Sequence, residues 1–150
     1  MQINDENTTI VIASGGFDPI HSGHINYLNE AAKLGNFLIV AVNSDAWLIR
    51  KKGKAFMDWD ERSKIVENLK SVDFTISFND FDGTAKEAIL KVRKFNPKSK
   101  IIFANGGDRT KENIPEMDIV DDNLEFVFGV GGENKQNSSS WILKSWDQKN

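Results

Sequence analysis

Apolar residues along the chain fall into short unbroken runs separated by stretches of helical rhythm, and that alternation sets the expected fold class. Thr9 to Ala13 (TIVIA) and Phe37 to Val42 (FLIVAV) lack polar alternation, as strands covered on both faces do. Between them, Ser14 to Pro19 carries Gly15, Gly16 and Pro19, which exclude regular structure. Ser22 to Leu34 then places Ile25, Leu28, Ala31 and Ala32 at helical spacing, with Gly35 as the expected stop. Strand, glycine-rich loop, helix and strand make a βαβ opening with a right-handed crossover.

The rhythm repeats. Asp58 and Glu61 have capping-box spacing ahead of a helix that buries Ile65, Val66 and Leu69, and Phe74 to Phe78 reads as a third strand. Thr84 and Glu87 repeat that spacing before a helix through about Lys94, with Ala85, Ala88, Ile89 and Val92 inward and Pro97 blocking its continuation. Ile101 to Ala104 and Leu124 to Val130 are the fourth and fifth strands, and a last helix starts near Ser138, with Trp141 and Trp146 expected in the core or against a subunit. The whole predicts one domain over residues 1–150, a Rossmann-like three-layer α/β/α sandwich on a mostly parallel five-stranded sheet, with residues 1–7 and 147–150 frayed. In such sheets ligands bind beyond the carboxyl ends of the strands, where the residues 15–24, 106–109 and 131–140 fall.

Composition narrows the chemistry. The absence of Cys removes disulfides, thiolate nucleophiles and Cys-based metal sites. A formal charge of −3 is wrong for coating a nucleic acid, although a local basic cluster can still take a small anion. No apolar run suits a membrane span and MQINDENTT does not suit a signal peptide, so a cytoplasmic location without membrane partners is expected.

The loop after the first strand has the makings of a phosphate site. Gly15 and Gly16 let the backbone approach a ligand, the next helix offers free N–H groups and a positive dipole end, and His21 and His24 stand three apart there. A tight turn for the glycines, and simple capping or metal ligation for the histidines, are the competing readings, although a His pair without a Cys or a clear third ligand is weak evidence for zinc. The full string Gly15-Gly16-Phe17-Asp18-Pro19-Ile20-His21-Ser22-Gly23-His24 matches the G-x-F-D-x-x-H-x-G-H signature at every defined position and resembles the cytidylyltransferase-like nucleotidyltransferase superfamily. Neither a Walker loop nor a dinucleotide G-x-G-x-x-G is present in it.

Ala41 to Ala46, Lys52-Gly53, Asp60-Glu61-Arg62 and Gly106-Gly107-Asp108 extend the resemblance to the members that activate heptose 1-phosphate with ATP, with relatives that activate glycerol 3-phosphate or phosphoethanolamine with CTP. The resemblance implies a nucleotidyltransferase joining NMP from CTP or ATP to a phosphorylated sugar or polyol. It implies His21, His24 and Lys52 as catalytic residues, and Gly15, Gly16, Phe17, Asp18, Gly23, Gly106, Asp108, Arg109, Ser138, Ser139 and Ser140 around the nucleotide. Lys54 and Arg62 are candidates for acceptor or phosphate binding, Arg62 alternatively forming a surface ion pair, and the basic run Arg50 to Lys54 alternatively a solvated loop. Arg109 stands where the heptose-activating members have an aromatic, and Asn137, without a preceding Arg, departs from the second motif, with Lys135 as a substitute charge. Ser138 to Ser140 are at minimum a helix cap. Mg²⁺ is expected on the triphosphate rather than in a protein metal site, and a homodimer is implied by resemblance. The alternative is a nucleotide-binding regulator or scaffold that has lost catalysis.

Overall fold

The computed structural model describes residues 1–107, 109, 114–132 and 138–149. Its strands are β1 (Thr9–Gly15), β2 (Phe37–Val42), β3 (Phe74–Ile76), β4 (Lys100–Ala104) and β5 (Leu124–Val127). The helices among the described residues are α1 (Ser22–Ala32), α2 (Asp45–Lys52), α3 (Trp59–Glu67), α4 (Lys86–Phe95) and α5 (Ser139–Lys149), with a 3-10 turn at Pro115–Asp118. The sheet is parallel in every pairing, in the order β3-β2-β1-β4-β5.

Strand alternation divides the core into two layers. Val11, Ala13, Leu38, Val40 and Ile102 face Leu28 and Ala31 of α1 and Val66 of α3. Ile10, Ile12, Ile39, Ile101 and Phe103 face Ala88, Ile89 and Val92 of α4. From β1 the chain crosses to β2 on one side, and β4 lies on the other, so the carboxyl ends of β1 and β4 flank the crevice of the topological switch.

Several expectations need correction. The basic run is no loop after a turn: Arg50, Lys51 and Lys52 form the last turn of α2, which Ser44 caps by accepting from Trp47 N at 3.1 Å and Gly53 closes at φ 91°. Cations at a helix carboxyl end complement its dipole. The Thr84 and Glu87 capping box does not form, because Asp82 accepts both the N–H and the hydroxyl of Thr84 at 2.9 Å and Glu87 instead accepts from Asn79 N. Gly35 is not the stop of α1, which ends at Lys33. A Cβ at Gly35 would come within 2.8 Å of the Thr9 carbonyl, so strand proximity excludes a side chain there.

β3 and β5 end earlier than expected, at Ile76 and Val127. The amino end is tied down: Ile3 and Asn4 donate to Asn96 Oδ1, and Asp5 donates to Ser99 Oγ. α5 buries none of its residues, and Trp141 and Trp146 are exposed at 54% and 62%, so neither joins the core.

Candidate active site

The loop from β1 to α1 is shaped from within. Phe17 adopts φ 53°, a region L-residues rarely occupy, and its ring lies buried beneath Gly15 and edge-on to His24, with centroids 5.0 Å apart. Gly16 has no room for a side chain, since a Cβ would meet Leu48 Cδ2 at 2.9 Å. The Asp18 carboxylate is buried, accepts the amides of Phe56 and Met57 at 2.7 Å each, and pairs with Lys52 Nζ at 3.4 Å. Lys52 also donates to the Asp18 carbonyl. Phe17 and Asp18 therefore hold the loop in shape through its interior, and neither lines the cleft among the described residues.

The two histidines cap α1 reciprocally. His21 Nδ1 accepts from Gly23 N at 3.0 Å, and His24 Nδ1 accepts from His21 N at 3.2 Å, with the rings 3.9 Å apart. A ring nitrogen that accepts carries no proton, so each imidazole is the tautomer with its hydrogen on Nε2. Burial, followed by the charges of His21 and Lys52, pushes the His24 pKa down from 6.5 to about 3. His24 is thus a neutral donor at pH 7.

A cleft of about 620 Å³ opens over this cap. Its lining includes Ser14, Gly15, Gly16, His21, Gly23 and His24 from the β1 side, Gly106, Gly107 and Arg109 from the β4 side, and Ser138, Ser139 and Ser140 at the start of α5. Ser138 Oγ accepts from Trp141 N at 3.0 Å, the capping role expected of it, and Ser139 Oγ donates to the Pro19 carbonyl at 2.7 Å, tying α5 to the histidine loop. Tyr27 on α1 donates to the Ala104 carbonyl at 2.6 Å and joins α1 to the end of β4. Asp108, Lys135 and Asn137 lie outside the described residues.

Three sequence-predicted residues sit elsewhere. Arg62 is no surface pair: its side chain is 0% exposed, and it donates to the carbonyls of Met57, Gly16 and Asn43 at 2.9, 2.8 and 2.7 Å and to Asp45 Oδ1 at 2.6 Å. It ties the β1 loop, the end of β2 and the start of α3 together beneath the cleft and does not meet solvent. Lys52 lies under the loop with Asp18, while Lys51, over the Trp47 ring at 4.6 Å, faces the cleft. Lys54 is exposed and does not border the cleft. Residues the sequence reading passed over are Asn43, Trp47, Lys51, Thr84, Asn105 and Glu116, all at the cleft. Only the helical cap sequence Ser44-Asp45 and the stop Gly53 could have revealed α2 and hence Lys51.

A crevice at the switch point of a parallel sheet, with paired imidazoles on a helix amino end, defines a Rossmann-like α/β domain with its cleft where such folds bind ligands. The chain belongs to the cytidylyltransferase-like family, whose model matches residues 12–140. It is 36% identical over 126 residues to the bifunctional protein HldE of Hahella chejuensis, covering 83% of this chain and 23% of that protein. Against the HldE of Syntrophotalea carbinolica it is 32% identical over 145 residues, covering 93% and 28% respectively. The chain therefore spans about a quarter of the length of these curated relatives. Among solved structures, a lipopolysaccharide core biosynthesis protein from Thermoplasma volcanium superposes with a TM-score of 0.64 at 27% identity, over 81% of this chain and 95% of that one. A putative nicotinate-nucleotide adenylyltransferase from Vibrio parahaemolyticus, at 14% identity and TM-score 0.63 over 95% and 88%, shares the fold.

Proposed function

We propose that this chain, as a single catalytic domain, transfers a nucleoside monophosphate from ATP or CTP to a phosphorylated sugar or polyol and releases pyrophosphate. The observation that carries the reading is the reciprocal histidine cap: two imidazoles at the amino end of α1 whose Nδ1 atoms accept from backbone amides, which puts the hydrogen of each ring on Nε2. In the reaction an oxygen of the acceptor phosphate attacks the α-phosphorus. The new P–O bond forms as the bond to the bridging oxygen breaks, and the electron pair leaves on pyrophosphate. The nucleophile is already anionic, so no general base is required, and the protein aligns the reactants and stabilises spreading negative charge. His21 and His24 donate to the phosphates, Gly15, Gly16 and Gly23 leave the backbone close to them, and Ser138 to Ser140 approach from α5.

Lys52 is assigned to the phosphates after exchanging Asp18 for them. Lys51, already at the cleft, and Lys54 are assigned to the acceptor phosphate. Arg62 is assigned a supporting role and not a phosphate contact, because its four hydrogen bonds already engage Nε and both terminal nitrogens. Triphosphate oxygens and water are the ligands assigned to Mg²⁺, an ion that prefers oxygen and often takes it mainly from substrate. When bound, Mg²⁺ supplies charge neutralisation. We take the working form to be a cytoplasmic homodimer. No helix among the described residues is long and apolar enough to cross a membrane.

The test is pyrophosphate release from a matrix of CTP and ATP against glycerol, ethanolamine, ribitol and heptose phosphates. Turnover with one pairing, lost on replacing either histidine, supports the reading. Nucleotide binding without turnover on any acceptor would favour the regulatory alternative.

A further inference from the structure

The bank of the cleft beyond β4 holds polar atoms that phosphate chemistry does not use. Glu116 is 1% exposed, and its Oε1 accepts from Arg109 Nη2 at 2.7 Å, but Oε2 has no hydrogen-bond partner among the described residues. Asn105 is also 1% exposed. Its Nδ2 donates to the carbonyls of Phe103 and Val127, each at 3.3 Å, while Oδ1 has no partner among the described residues. Those two carbonyls fix the amide orientation, since a flip would set oxygen against oxygen. Both residues border the cleft. Buried acceptors without donors are rare in native proteins, and each such atom costs stability until a donor arrives.

The donor must come from a part of the ligand other than the polyphosphate, which offers only acceptors. A ribose hydroxyl brings one hydrogen, whereas an exocyclic amino group brings two. The geometry points to Glu116 and Asn105 as acceptors that select an exocyclic amino group on the nucleobase, with Arg109 positioning the Glu116 carboxylate. Adenine and cytosine carry that group. Hypoxanthine and uracil replace it with a carbonyl, which would set one more acceptor against the acceptors already there. This inference rests on the nucleotidyltransferase reading of the same cleft and assigns its base selectivity.

Calorimetric titration tests it without knowledge of the acceptor, using ATP against ITP, CTP against UTP, and inorganic tripolyphosphate, all with Mg²⁺. The wild-type protein binds one amino-bearing nucleotide at least ~10²-fold more tightly than its keto twin, because a site built for a donor strongly rejects a ligand lacking it. Glu116→Gln keeps an acceptor for Arg109 and places an amide N–H where the free oxygen stood. It should shrink that ratio below about tenfold and leave tripolyphosphate affinity unchanged. Equal wild-type binding within both nucleotide pairs overturns the inference before any variant is made. A Glu116→Gln protein that loses affinity for tripolyphosphate and all nucleotides alike also overturns it, since the residue would then act on structure alone. If wild-type protein binds neither tripolyphosphate nor any nucleotide, the nucleotidyltransferase reading itself falls.

Discussion

Replacing Arg62 by Ala separates two roles that the same side chain can be given. The guanidinium is fully buried, and three of its hydrogen bonds end on the carbonyls of Gly16, Asn43 and Met57, which converge from the β1 loop, the end of β2 and the start of α3. Its fourth partner, Asp45, is 42% exposed and can rehydrate, so its loss adds little. The carbonyls cannot all do so, and removing one partner of a buried charged network costs about 3–5 kcal/mol. For a domain of this size that lowers Tm by roughly 6–20 °C, at ~2–4 °C per kcal/mol. Arg62→Lys retains the charge but not the planar fork, and should lose about half as much. Urea unfolding at pH 7 with an unchanged m-value gives the stability difference directly. A variant within about 2 °C of wild type that has nonetheless lost turnover would refute the supporting role and make Arg62 a ligand of the substrate phosphates.

Three further outcomes follow from the loop. His21→Ala and His24→Ala each lower the rate of pyrophosphate release by ~10²-fold or more, the usual loss of a transition-state donor, and near-normal rates in both would remove the catalytic role. The folded-state pKa of His24, about 3, lies below its reference value of 6.5, so the unfolded chain binds the proton first. Stability from this group is complete above pH 6.5 and is lost as pH falls, at up to ~1.4 kcal/mol per pH unit, giving about 2 kcal/mol by pH 5. Urea midpoints at both pH values should show this slope in wild type and less of it in His24→Asn, and identical slopes would contradict the assigned shift. Asp18→Asn sets an amide N–H against a backbone amide or Lys52 and should destabilise by about 3 kcal/mol, which thermal unfolding would detect.

The layers of this fold were legible because strands buried on both faces cannot alternate, so TIVIA and FLIVAV announce themselves. The histidine loop was legible because its chemistry is contiguous in the chain. The rest depends on atoms far apart in sequence. Arg62 looks like an ordinary helical surface residue until the fold brings it the Asn43 and Gly16 carbonyls, 19 and 46 residues away in the chain, beside that of Met57. α2 was missed because its hydrophobic pattern is weak, with Leu48 its only buried residue, and its stability comes from caps and from the Ser44 and Asn43 bonds to the buried Asp80. Glu116 carries no local signal, for its significance lies in an oxygen that lacks a partner.

The two banks of the cleft have opposite polarity, and this bears on how a nucleotide would lie in it. On the β1 side are helix amides, imidazole donors and Lys51, all suited to negative charge. On the β4 side the buried unpaired atoms are oxygens, suited to hydrogen-bond donors. A nucleotide has the same asymmetry, with acceptor oxygens at one end and base N–H groups at the other. Reversing it would set phosphate against Glu116 and aim the base at the amino end of α1. Both mismatches raise the energy, so orientation is selected by electrostatics before any single contact is optimised.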